Sequence, residues 1–203
     1  AGGIYGKAMR NGLWSLKTVN IRDYADDKHK TVDDTVFGGG SGMLMKPDIV
    51  ANSLDKNISK GEKIFYLSPK GKKFNQSFAN SLSKQNGINL ICGHFEGVDD
   101  RLLSTRNIEE ISIGDYVLSG GETAAFVILD AVLRLIPGVL GNKDSIKDET
   151  FENSLLEYPQ FTKPKIWEGK SVPDVLFSGD HAKIKDWRLS QSEAITRRQR
   201  PDL

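Results

Sequence analysis

The chain has 203 residues, 38% of them apolar, and a formal net charge of +1, so it can bury a proper core and carries no global basic footprint for nucleic acid. Its single cysteine, Cys92, excludes an internal disulfide framework and fits a reducing compartment. No run reaches membrane-spanning length and no signal peptide is visible, so a cytoplasmic protein without membrane contact is expected.

In chain order, Gly6–Gly12 is helix-like, and because an α/β domain usually starts with a strand, residues upstream of Ala1 are expected. Lys63–Leu67 (KIFYL) reads as a short buried strand ended by Ser68-Pro69-Lys70-Gly71. Phe74, Phe78 and Leu82 recur at four-residue spacing, the pattern of an amphipathic helix. Ile88–Cys92 is a second apolar strand ended by Gly93, and Asp99–Thr105 a short helix. Ile111–Ile113 and Tyr116–Leu118 read as short extended pieces around Gly114. Gly120-Gly121 opens a long apolar helix, Glu122–Ile136, stopped by Pro137-Gly138. This alternation implies an α/β fold with a parallel sheet. The polar, aperiodic stretch 141–150 reads as a linker or mobile loop. Beyond it come Pro159, Pro164 and Pro173, then a helix-like stretch His181–Ser192.

Three strand ends carry glycine or proline loops: Tyr66–Gly71, Gly93–Gly97 and Ile113–Gly121. Ligands of open parallel sheets bind at the carboxyl ends of strands, and glycine lets main-chain groups come close to them. Together the loops predict a small-molecule pocket walled by main chain. No G-x-G-x-x-G follows a strand and no P-loop is present, so Rossmann-type and P-loop chemistry are disfavoured. His29, His94 and His181 are far apart, Cys92 reads as a packed core residue, and no metal site is expected.

The runs TVDDTVFGGGSGMLM (Thr31–Met45), YLSPKG (Tyr66–Gly71), ICGHFEGVDDR (Ile91–Arg101), SIGDYVLSGGE (Ser112–Glu122), RLIPGVLG (Arg134–Gly141), YPQFTKP (Tyr158–Pro164) and SGDHAKIKDWRL (Ser178–Leu189) span nearly the whole chain. In these the chain resembles the bacterial tRNA (guanine-37-N1)-methyltransferases of the SPOUT superfamily. The resemblance implies methylation of guanosine N1 at tRNA position 37, beside the anticodon; the alternatives are a SPOUT methyltransferase acting on another RNA and a non-catalytic RNA-binding protein. It implies an N-terminal α/β domain with a deep trefoil knot, here residues 1–140 with the first strand missing. A flexible linker at 141–153 and a small, mainly helical, tRNA-binding domain at 154–203 would follow. It further implies S-adenosyl-L-methionine as methyl donor and a homodimer with each active site at the subunit interface. Mg2+ is admitted as an activator without a protein site.

Residue roles follow the same resemblance. The donor falls to Tyr66, Leu67, Ser68 and Pro69 of the first loop and to Gly93, Phe95 and Glu96 of the second. The third loop adds Ile113, Gly114, Asp115, Tyr116, Val117, Leu118, Gly120 and Gly121. From the sequence alone, Glu96 could equally cap the helix near Asp99. N1 of guanine carries a proton, so a carboxylate must remove it while a cation stabilises charge growing on O6. Alignment on Phe151 gives the base to Glu149, with Asp148 as the alternative; the family's residue there is aspartate. The cation is Arg134, which could also simply complement a helix C-terminus. His29, Gly39, His181, Lys183 and Arg188 are the candidate tRNA contacts, and Trp187 is either an RNA-facing aromatic or the core of the small domain. Two departures touch the pocket: His94 stands where many members have arginine, and Ala124 where many have proline.

Overall fold

The computed structural model describes residues 3–140, 151 and 154–203. The chain divides into two compact units, Ala1–Gly141 and Asn142–Leu203.

The first unit is a layered α/β structure. It contains α1 (Gly3–Arg10), a 3-10 turn (Ile21–Tyr24), β1 (Asp33–Thr35), β2 (Met43–Met45), α2 (Pro47–Asn57), β3 (Ile64–Lys73), α3 (Gln76–Ser83), β4 (Asn89–Ile91), α4 (Asp100–Thr105), β5 (Glu109–Ser112) and α5 (Gly121–Leu133). β3 runs between β4 and β5, and both pairings are parallel, as the strand–helix alternation predicts. Side chains alternate faces along β3. Ile64 and Tyr66 join Val50, Leu54, Val98 and Leu102 in one core layer. Phe65 and Leu67 join Ala79, Leu82, Ile111, Ile128 and Val132 in the other. Both faces are therefore covered by helices, which is why Ile64–Leu67 is apolar throughout. Burying Phe65, with none of its surface left to solvent, contributes about 2–3 kcal/mol.

Three local expectations need correction, and one helix was missed. Ser68–Gly71 does not end β3. Leu67 and Lys72 both face Ile111, so the intervening residues bulge out and the strand resumes through Lys73. Gly71 is needed there because a side chain would collide with the Glu110–Ile111 backbone. Tyr116–Leu118 is an exposed loop and not a strand, since β5 already ends at Ser112. The apolar helix begins at Gly121 and ends at Leu133, short of Ile136, where Arg134 caps it. Finally, α2 escaped the sequence reading altogether. Pro47 opens it at the position where a missing N–H costs nothing.

The second unit holds a two-stranded hairpin, β6 (Ile166–Trp167) and β7 (Lys170–Ser171), a 3-10 turn (Asp174–Phe177) and α6 (His181–Gln199). Asp180 caps α6 by accepting from the Lys183 amide at 3.2 Å. The helix runs to Gln199, past the predicted end at Ser192, because Ser192 and Thr196 are buried on its inner face. Thr196 Oγ1 donates to the Ser192 carbonyl at 2.7 Å and accepts from the Leu156 amide at 2.8 Å.

Candidate functional site

The second and third loops emerge from the carboxyl ends of β4 and β5, the first, Ser68–Gly71, is the bulge of β3 level with them, and main-chain contacts join them. Gly71 abuts β5. The Phe74 amide donates to the Ser112 carbonyl at 2.7 Å, and Ser112 Oγ holds the Gly114 amide at 3.2 Å. The third loop closes on the second where the Gly121 amide donates to the Gly93 carbonyl at 2.9 Å. A Cβ on Gly121 would stand 2.7 Å from Cys92 Cα, so only glycine permits the approach.

Tyr66 sits beneath the second loop. A Cβ on Gly93 would lie 2.6 Å from its ring and one on Gly97 2.9 Å from its hydroxyl. Burial, then the Glu110 carboxylate, raises the Tyr66 pKa, and a hydrogen bond from the Val98 backbone opposes them. The two glycines thus make room for an internal aromatic, and side chains at 93 would displace Tyr66 before they reached any ligand.

Above this floor the loops present exposed apolar groups. Phe95, held at φ +58°, is exposed, as are Tyr116 and Leu118, and Val117 is 86% exposed. Ser68 is buried and its Oγ accepts from the Lys70 amide, whereas Pro69 is exposed. Ile113 lies half-buried against the core, Asp115 is exposed, and the Tyr116 hydroxyl donates to the Ile113 carbonyl at 3.3 Å. Exposed apolar side chains on these loops suit a ligand with a flat ring.

Two contacts across the loops were invisible in the sequence. His94 Nε2 and Glu122 Oε1 are 2.6 Å apart, packed around Gly120. The His94 hydrogen bond holds Glu122 below the usual carboxylate range. Both side chains are about half exposed, so the pair orients the loops more than it stabilises the fold. Glu96 folds over Gly42, where a Cβ would lie 2.6 Å from its Cγ. The capping role for Glu96 is thereby excluded, since Asp99 itself caps α4 by accepting from the Arg101 amide at 3.0 Å. The β1–β2 hairpin flanks the second loop: the Glu96 amide donates to the Met43 carbonyl and the Met45 amide to the Gly97 carbonyl, both at 2.9 Å.

Other candidates stand apart. Arg134 is at the opposite end of α5 from Gly121; thirteen residues rising ~1.5 Å each put the helix ends about 20 Å apart. Its charge is felt at Tyr5, whose hydroxyl donates to the Asp130 carbonyl and whose pKa burial and Asp130 raise to about 12. Glu149 and Asp148 lie outside the described residues. Gly39, with φ +82°, is on the β1–β2 hairpin loop, and His29 is exposed upstream of it. His181, Lys183 and Arg188 are exposed on α6; Lys183 pairs with Asp180 at 3.1 Å and Arg188 stacks on Tyr158. Trp187 is half-buried against Phe161. Ala124 is buried on α5 in the core.

Comparison with known proteins places this geometry in context. The sequence profile described as tRNA (Guanine-1)-methyltransferase TrmD matches residues 1–203. A Pelagibacter ubique (strain HTCC1062) protein named tRNA (guanine-N(1)-)-methyltransferase is 74% identical over 201 residues, covering 99% of this chain and 88% of the relative. Proteins of the same name from Bartonella tribocorum (56% identical; 98% and 86% covered) and Brucella canis (54%; 98% and 82%) are also similar.

Proposed function

Since the chain belongs to the tRNA (guanine-1)-methyltransferase family, we propose that it methylates N1 of the guanosine at tRNA position 37, taking the methyl group from S-adenosylmethionine held by the three loops. The observation that carries this reading is the convergence of the β3 bulge with the loops that leave the carboxyl ends of β4 and β5, sealed by Gly121 against Gly93. The residues fit such a donor: Phe95, Tyr116 and Leu118 offer exposed apolar walls for a purine. S-adenosylmethionine, when bound, supplies an electrophilic methyl group.

The chain's own residues do the rest. The loops orient the donor, and most of the rate comes from that positioning. Glu149 takes the N1 proton, and Arg134 stabilises the charge that grows on O6. Arg134 is too far along α5 to serve the loops of its own chain. We therefore read the enzyme as a homodimer in which Arg134 of one protomer reaches the loops of the other. The family resemblance adds a deep trefoil knot through these loops, a cytoplasmic setting and tRNA contacts from His29, Gly39, His181, Lys183 and Arg188. Among the described residues no helix is long and apolar enough to cross a membrane.

The test is direct. Protein, methyl-labelled donor and a tRNA transcript are incubated, and the modified base is mapped. Label on N1 of guanosine 37 is expected; label elsewhere, or none, overturns the reading.

A further inference from the structure

We propose that Phe37 is a stacking platform for an unpaired base of the tRNA, presented beside the loop pocket by the β1–β2 hairpin. This rests on the reading that the chain acts on tRNA. Thr35 faces Met43 in the hairpin, so residues 36–42 form its connecting loop. The Gly39 amide donates to the Val36 carbonyl at 3.3 Å and closes a tight turn with Phe37 and Gly38 at its centre. Phe37 is thereby set at the tip, 93% exposed. A single exposed apolar residue needs no explanation by itself. Here three further features give it one.

The first is the backbone behind the ring. Gly38, Gly39, Gly40 and Gly42 have φ of +90°, +82°, +125° and +96°, conformations that L side chains rarely adopt. At Gly38, Gly39 and Gly40 a Cβ would meet nothing within 4 Å. These glycines therefore make no room for the protein itself. They leave open space beside an aromatic ring.

The second is attachment. The far end of the loop is fastened to the pocket by Gly42 beneath Glu96 and by the Glu96 amide on the Met43 carbonyl. A base stacked on Phe37 would thus be registered against the same loop that carries Gly93 and Phe95.

The third is chemistry. A phenyl ring has no hydrogen-bonding group, so it cannot read a base edge or hold a phosphate. It can hold the face of any base, which requires a nucleotide out of a helical stack. A nucleotide flanking a target guanosine in a single-stranded loop meets that requirement.

The test compares Phe37→Ala, Phe37→Leu, Phe37→Tyr and Phe37→Trp in the full chain, with tRNA KM, kcat, S-adenosylmethionine affinity and sedimentation measured for each. Phe37→Ala and Phe37→Leu should raise the tRNA KM about tenfold, the scale of one lost base–aromatic stack, with donor affinity and sedimentation unchanged. Phe37→Tyr and Phe37→Trp should restore it. An unchanged KM in Phe37→Ala, or leucine serving as well as tyrosine, overturns the proposal. So does altered sedimentation of Phe37→Ala, which would place the ring against a second copy of the chain. No methyl transfer by the unsubstituted chain would instead overturn the underlying reading, and the proposal with it.

Discussion

The Gly121 amide donates to the Gly93 carbonyl at 2.9 Å while the Gly121 α-carbon lies against the Cys92 backbone. Because both sides of this contact are main chain, no rotamer change can relieve an added atom. Gly121→Ala should therefore push the third loop off the second, costing about 1–3 kcal/mol in stability, the usual range for overpacking, and weakening donor binding. Gly87→Ala, where a Cβ meets nothing within 4 Å, is the control. Thermal unfolding and donor titration check both; a Gly121→Ala protein matching the control would mean that the two loops do not depend on this contact.

The distance between Arg134 and the loops makes a complementation experiment informative. Leu118→Asp places a carboxylate in the apolar wall and should reduce donor affinity at least tenfold, since an unpaired charge resists desolvation. Arg134→Ala should leave donor affinity intact and lower turnover. Each variant alone should be nearly inactive, whereas mixed dimers should regain activity, because one of their two sites combines intact loops with an intact Arg134. Mixed dimers that stay inactive would place Arg134 and the loops in one chain's site.

Glu149→Gln should lower methyl transfer roughly a hundredfold or more, the usual scale for losing a general base, and leave S-adenosylmethionine affinity nearly unchanged, because a base on N1 does not touch the sulfonium. Glu149→Asp should retain substantial activity and Asp148→Asn nearly all of it. Single-turnover rates separate these outcomes. An inactive Asp148→Asn beside an active Glu149→Gln moves the role to Asp148.

Burial, then the neighbouring Glu122 carboxylate, pushes the Cys92 thiol up from 9.0 to about 11. At pH 8 only about a thousandth of it is thiolate. Iodoacetamide should modify the native protein far more slowly than the protein in urea, with a rate rising about tenfold per pH unit towards pH 11. The sign for stability follows. A raised pKa means that the folded state holds the proton more tightly, so the contribution is complete below pH 9.0 and is lost as pH rises through about 11. Comparing Cys92→Ala with the unsubstituted chain by alkaline unfolding isolates it.

Much of the architecture was legible before any coordinates. Ile64–Leu67 is apolar at every position because β3 is covered on both faces, and Phe78 and Leu82 fall on one side of α3 because the helical period puts them there, whereas Phe74 precedes the helix and packs against the same core. The glycine loops and the family motifs were equally plain, since they are short contiguous runs. The bulge in β3 was less so: Ser68–Gly71 has the composition of a turn, and only pairing of both Leu67 and Lys72 with Ile111 keeps the strand going. α2 was missed although Pro47 marks its start.

The sequence by itself determined the buried strands β3 and β4, the apolar helix α5 and the family the chain resembles, because these depend on spacing within a few residues. Only the tertiary structure decided that His94 meets Glu122 across 28 positions, that Glu96 lies over Gly42 and not at a helix cap, and that Arg134 is a helix length away from the loops. Those relations depend on the order β4-β3-β5 and on where the β1–β2 hairpin joins the second loop. Periodicity sets the direction in which a side chain points and carries no information about which distant segment it will find there.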